Sequence, residues 1–236
     1  MPLSTRYVSP MLVAALLASV TSCGRDEVKY KPRPAPKTQI TMPAVPNVPQ
    51  TPVKRGDVYT VWGASYSLRS RVLHKDIEGK PLTLEGYIVD TNLSQAPECA
   101  VHKGGKADPE TCKAPVPTFW LGDEKTSSKT DSIRVLGWAS NFAQIFDSIK
   151  EMDEKGDKAK PHQDEFWGKE MPSPIPAKGA KVRVTGPYST TFTGASTGAE
   201  ADPIMGILTY TKIETLEEAP DLATLPGVER KPKKDK

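Results

Sequence analysis

The sequence predicts a mainly β fold: a small closed barrel of five strands with one helix between the third and fourth strands. A disordered N-terminal linker and a disordered C-terminal tail flank it. Three observations carry this prediction. Short segments with apolar residues at every second position recur between turn residues, which is the period of a strand with one buried face. A single segment shows helical spacing instead, at Phe142, Ile145, Phe146, Ile149 and Met152. The two ends of the chain are rich in proline or charge and offer no periodic apolar pattern.

The first strand is set by Leu82, Leu84, Gly86 and Ile88, alternating with Thr83, Glu85, Tyr87 and Val89. Glycine inside a strand marks a bulge or tight bend, so a kink is expected at Gly86. A loop rich in Pro, Gly and Lys follows over 91–117. Thr118, Phe119, Trp120 and Leu121 form a short second strand, stopped by Gly122 and Asp123. A third strand is expected over 133–138, ending at Trp138. The helix has a capping-box start, Asn141 with Gln144 three residues on, and Gly156 as its stop. Strict alternation over Lys181, Val182, Arg183, Val184, Thr185 and Gly186 gives the fourth strand. A Gly/Thr-rich loop separates it from the last, over 206–215, with Ile207, Leu208, Tyr210 and Ile213. Ahead of all these, 58–72 is ambiguous. Trp62, Tyr66 and Arg69 suit a helix, whereas Tyr59 and Val61 suit a strand.

The order strand, strand, strand, helix, strand, strand resembles the OB-fold, a closed barrel whose open end a helix plugs. The resemblance spans about Leu82 to Leu216. It rests on element order rather than on a diagnostic motif. It implies that the loops after the first and fourth strands, which contain Cys99 and Cys112 and residues 190–202, lie where such barrels bind their partners.

The N-terminus has Arg6 and an apolar run over 11–20. Ten helical residues rise about 15 Å, too little for a hydrocarbon core of about 30 Å, so the run reads as an export signal and not as a membrane span. It ends in Val20, Thr21, Ser22 and Cys23. This resembles the lipobox of bacterial lipoproteins, with valine in place of the usual leucine. The alternative is an ordinary signal peptide with a chance cysteine. The resemblance implies cleavage before Cys23, lipid on its thiol, and attachment to a membrane. Gly24 after the cysteine, where sorting signals place aspartate, implies the outer membrane. Residues 1–22 are then the signal peptide and 23–56 a lipidated, Pro-rich tether, with the domain over 57–217 and a basic tail over 218–236. Prolines 32, 34, 36, 43, 46, 49 and 52 favour an extended spacer of up to about 90 Å, or else a polyproline ligand.

Charge is nearly balanced, at +3 with 26% charged residues, and the clearest basic cluster is the tail, so nucleic acid is not an expected partner. Cys99 and Cys112 form an even pair in an exported chain, and a disulfide closing the long loop is expected, worth about 3 kcal/mol in the chain-entropy picture. The sharper alternative uses Cys99, His102 and Cys112 as metal ligands, leaving one position open. His162 stands in a charged loop and reads as solvated. Asp153, Glu154, Asp164 and Glu165 have no pattern that sets them across a cleft. No phosphate loop, nucleophile elbow or zinc-protease motif is present, so no catalytic residue, cofactor or enzymatic activity is expected. Phe119, Trp120, Trp138, Tyr188 and Tyr210 lie on or beside predicted strands. They are either core or a face on which sugars or bases stack. The expected function is a non-enzymatic, lipid-anchored module that binds an envelope protein or a glycan. The competing one is a metal-binding envelope protein.

Overall fold

The computed structural model describes residues 51–156, 159–195 and 198–230. The expected signal peptide, Cys23 and the tether up to residue 50 lie outside them. Short strands β1 (Lys54–Arg55) and β2 (Val58–Tyr59) open the domain, followed by helices α1 (Val61–Arg69) and α2 (His74–Ile77). The barrel strands are β3 (Lys80–Thr91), β4 (Phe119–Gly122), β5 (Ile133–Leu136), β6 (Lys181–Ser189) and β9 (Ile207–Thr209). Helix α3 (Phe142–Lys155) lies between β5 and β6. A separate ribbon pairs β7 (Thr191–Ala195) with β8 (Gly198–Ala201), and β10 (Lys212–Glu217) adds to the outer edge of β6.

The pairing closes on itself. β3 pairs antiparallel with β4, β4 with β5, β5 parallel with β9, β9 antiparallel with β6, and β6 antiparallel with β3. This is the five-stranded OB-like barrel expected from the element order. Alternation does the sorting: in β6 the residues Val182, Val184, Gly186 and Tyr188 point inward, and Lys181, Arg183 and Thr185 outward. Leu84, Ile88, Phe119, Leu121, Ile133, Val135, Val184 and Leu208 fill the interior, and all are almost completely buried. Packing of this density means that a single methylene matters.

Helix α3 buries Phe142, Ile145 and Ile149 in the same core as the barrel strands. Its ends are those the sequence specifies. The Asn141 side chain accepts a hydrogen bond from the Gln144 backbone N–H, and Gly156, at φ +55°, donates its N–H to the Met152 carbonyl. The ambiguous 58–72 segment resolves into β2 and α1. Thr60 caps α1 by accepting from the Gly63 N–H, and Asp123 of the β4 end accepts from Val61 N at 2.9 Å and Trp62 N at 2.8 Å.

Several expectations change. Of the bulge or tight bend expected at Gly86, the bulge lies elsewhere: the register of β3 against β4 shifts between Ile88 and Asp90. Gly86 is needed for closeness instead, since a Cβ there would meet the Gly122 carbonyl oxygen at 2.6 Å. The last strand is two strands: the chain breaks at Tyr210 and Thr211, and β9 serves the barrel while β10 serves only β6. Residues 190–202 are not an irregular loop but carry the β7–β8 ribbon. The tail boundary also moves. Past Glu217, Ala223 and Leu225 are buried against the core, and Arg230 pairs with Asp153 of α3 at 2.9 Å. The apolar side chains at 223 and 225 anchor a segment that looks only polar in composition. Residues 231–236, which hold most of the basic cluster, lie outside the described ones.

Candidate functional site

The two long loops expected to bind partners are built structures rather than slack connections. The loop after β3 is closed by the Cys99–Cys112 disulfide. Its base is clamped by Asn92, whose amide donates to the Val116 carbonyl at 2.7 Å and whose side-chain oxygen accepts from Thr118 N at 2.8 Å. Leu93, Ala96 and Ala100 of this loop are buried. Gly104 N donates to Asp147 of α3 at 2.9 Å, which ties the loop to the helix.

The loop after β6 folds back as the β7–β8 ribbon against the outer wall of β5 and β9. Phe192 from β7 packs there with Leu136, Ile207 and Val116, forming a second small core outside the barrel. Trp167 of the α3–β6 connection joins it. Three connections therefore meet over one wall. Arg134, which points outward from β5, holds the ribbon: it reaches Glu200 at 3.1 Å, Asp202 at 3.6 Å and the Ala201 carbonyl at 2.7 Å. Such a bonding pattern uses the planar fork of the guanidinium on several acceptors at once.

Beside this ribbon stands Trp120. The register places it between Asp90 of β3 and Arg134 of β5. It is half-buried. The Lys129 ammonium lies 3.6 Å from its ring centroid and 3.1 Å from Asp90, a cation–π contact completed by an ion pair. The wall thus presents one aromatic face in a setting of paired charges, framed by a stapled loop and an anchored ribbon. This suits recognition of a polar ligand with a flat apolar side.

The other four aromatics expected as a possible binding face do not lie on it. Phe119, Trp138, Tyr188 and Tyr210 are buried in the core: closure of the barrel turns Phe119 of β4 and Tyr188 of β6 inward, and Trp138 and Tyr210, just past the ends of β5 and β9, pack against the same core. Phe119 and Trp138 face each other at 6.0 Å between ring centroids. The Tyr188 hydroxyl donates to the Met205 carbonyl, and burial followed by the Asp202 charge pushes its phenol well above the ordinary range. Tyr210 is pushed up to about 12, by burial first and then by Glu170.

The metal alternative loses its thiolates, since Cys99 and Cys112 are bonded to each other. His102 turns to protein partners: Nδ1 lies 2.9 Å from the Lys103 carbonyl and Nε2 3.0 Å from Asp108. The Lys103 carbonyl, against opposing burial, and then Asp108 hold its imidazole above the usual histidine range. His162 is not solvated as expected. Its Nε2 lies 3.2 Å from the buried Gln144 side chain and its Nδ1 3.6 Å from Glu151.

The carboxylates do structural work. Asp164 is buried and accepts from the backbone N–H groups of Ser140 at 2.7 Å and of Phe166 and Trp167 at 2.9 Å. Asp153 holds Arg230. A cleft of about 490 Å³ opens between Glu170, Met171 and Pro172 on one side and the Tyr210–Ile213 stretch on the other.

One surface feature escaped the sequence reading. Trp62 and Tyr66 project from α1 and stack on each other, ring centroids 5.0 Å apart and planes 12° from parallel. Their i, i+4 spacing was the available signal. No known protein family matches the chain, and no curated protein matches it either.

Proposed function

We propose that this chain is a lipid-anchored protein of the bacterial cell envelope whose barrel is a non-enzymatic binding module. In this reading Cys23 carries the lipid, Gly24 sends the protein to the outer membrane, and the Pro-rich stretch is a tether. The wall around Trp120 takes an envelope glycan or protein. The observation that carries the reading is the framed wall itself. Of the five aromatics singled out from the sequence, Trp120 alone is left partly open, and the loops beside it are pinned by a disulfide, by Asn92 and by Arg134. Loops fixed in this way lose little entropy on binding, which favours recognition. Stacking of a sugar or a planar side chain on Trp120 would displace the Lys129 ammonium, which then becomes available to a hydroxyl or carboxylate of the ligand.

The test is photo-crosslinking in intact cells from a photoreactive residue placed at position 129. The reading predicts a discrete adduct with one envelope protein or with cell-wall glycan, lost when Trp120→Ala is added. An unchanged adduct in Trp120→Ala, or none in the parent, rejects this wall as the binding site.

A further inference from the structure

The α1 face is unusual for a surface that faces only water. Trp62 is 40% exposed, Tyr66 46% and Val72, just past the helix, 80%. The buried side of the helix, Val61, Ala64 and Leu68, is fully engaged with the barrel. The rings are therefore not spare core residues. They are rigidly presented: Asp123 fixes the first turn of the helix, and the two rings brace each other.

The charged side chains carried by α1 and the segment just after it are basic, and the Asp123 carboxylate that reaches the helix start is engaged by the Val61 and Trp62 N–H groups. Residues 61–75 include Arg69, Arg71 and Lys75 and no carboxylate, the nearest in sequence being Asp57 and Asp76. Arg69 shares the face of Trp62 and Tyr66 by helical spacing, and Arg71 and Lys75 follow it, exposed. Tryptophan and tyrosine side chains settle at the level of lipid headgroups, with their apolar rings toward the chains and their polar edges in water. Arginine and lysine beside them meet phosphates, each contributing to attraction by an anionic surface.

The path of the chain adds a second argument. The chain that arrives from the N-terminal side enters the domain against α1. The Pro52 carbonyl accepts from the Thr60 hydroxyl at 2.7 Å, and the Val53 carbonyl accepts from Thr60 N at 3.1 Å. Gly63 allows this approach, since a Cβ there would fall 2.1 Å from the Val53 oxygen. The end of the domain nearest to its attachment in sequence is thus the end with the aromatic and basic face.

We propose that the α1 face is a membrane-docking surface. Trp62, Tyr66 and Val72 enter the headgroup region of an anionic phospholipid bilayer, and Arg69, Arg71 and Lys75 contact its phosphates. The setting rests on the lipid-anchored reading. The test does not, because it uses the chain from residue 24 onward, which has neither leader nor acyl group. Cosedimentation is measured with vesicles of phosphatidylcholine, with and without phosphatidylglycerol. The wild-type chain is expected to bind the anionic vesicles at least about tenfold more tightly than the neutral ones, given about 1 kcal/mol for each basic residue at the surface. Trp62→Ala with Tyr66→Ala, and separately Arg69→Glu with Arg71→Glu, are expected to lose about tenfold in affinity. All four side chains are exposed, and unchanged melting temperatures establish that the variants fold. The basic C-terminal tail and the basic N-terminal residues Arg25, Lys29, Lys31, Arg33 and Lys37 are common to every protein, so binding that both double variants retain in full comes from outside α1 and overturns the proposal. Absence of wild-type binding, or equal binding to both vesicle types, overturns it too.

Discussion

Replacing Gly186 with alanine should open the barrel seam. A Cβ at this position would lie 1.7 Å from the Thr209 carbonyl oxygen, 2.8 Å from the Thr209 carbonyl carbon and 3.3 Å from Thr211 N. All three are main-chain atoms, so no side chain can rotate aside. Restoring an ordinary contact requires the 209–211 segment to retreat by about 1.5 Å. That segment is held by Tyr210 N donating to the Leu136 carbonyl at 2.8 Å and Thr211 N donating to the Thr185 carbonyl at 2.9 Å. A retreat of this size takes both bonds past the usual limit. Each contributes about 1 kcal/mol net, and overpacking adds about 1–3 kcal/mol. Alanine regains about 0.5–1 kcal/mol over glycine in a strand. The expected loss is therefore about 3 kcal/mol, or a fall of about 6–12 °C in Tm for a domain of this length. Urea unfolding followed by circular dichroism measures it. Gly79→Ala is the companion: it is at φ +70° with nothing within 4 Å of its Cβ, and should cost only the left-handed backbone penalty of about 1–2 kcal/mol. A Gly186→Ala protein within about 1 kcal/mol of wild type would refute the reasoning.

Other perturbations follow from the same contacts. Cys99→Ser with Cys112→Ser opens a loop with a sequence separation of 13, and should lower stability by about 3 kcal/mol in urea titrations, since the longer unfolded chain regains entropy. Arg134→Ala should release the β7–β8 ribbon. Deuterium exchange should rise in 191–201 and stay unchanged in β3 and β6, with a global cost of about 1–2 kcal/mol. Glu85 gives a pH signature. Burial raises its carboxyl pKa, but hydrogen bonds and charges from Arg183 and Lys181 outweigh this and hold it below the ordinary 4.5. Its contribution is complete above pH 4.5 and is lost as pH falls through the lowered value. Glu85→Gln should therefore be less stable than wild type at neutral pH and lose less on acidification, as read from melting temperatures across that range.

Legibility in the sequence followed locality. The ends of α3 could be read because capping chemistry is confined to a few residues, Asn141 at one end and Gly156 at the other. The disulfide could be read from the even cysteine pair and the expected export signal. The break between β9 and β10 could not, because alternation continues through Tyr210 and only closure against β5 forces the kink. The ribbon was hidden since β7 and β8 hold a single large apolar side chain, Phe192, whose partners Leu136 and Ile207 are distant in sequence. Similarly, Ala223 and Leu225 find the core only through tertiary packing. Phe119 and Trp120 are adjacent in a strand, so the period of two puts them on opposite faces, and only one of them can ever bind. The alternation does not say which face the closed barrel turns inward.

The central claim is that a lipid on Cys23 ties this barrel to the envelope. The most direct measurement is the intact mass and membrane partition of the whole chain expressed in a Gram-negative host, beside Cys23→Ser. The account predicts a protein that begins at Cys23, carries the added mass of its acyl groups and sediments with the outer membrane, while Cys23→Ser yields no acylated form. A wild-type chain without acyl mass, recovered in the soluble fraction like Cys23→Ser, would contradict it.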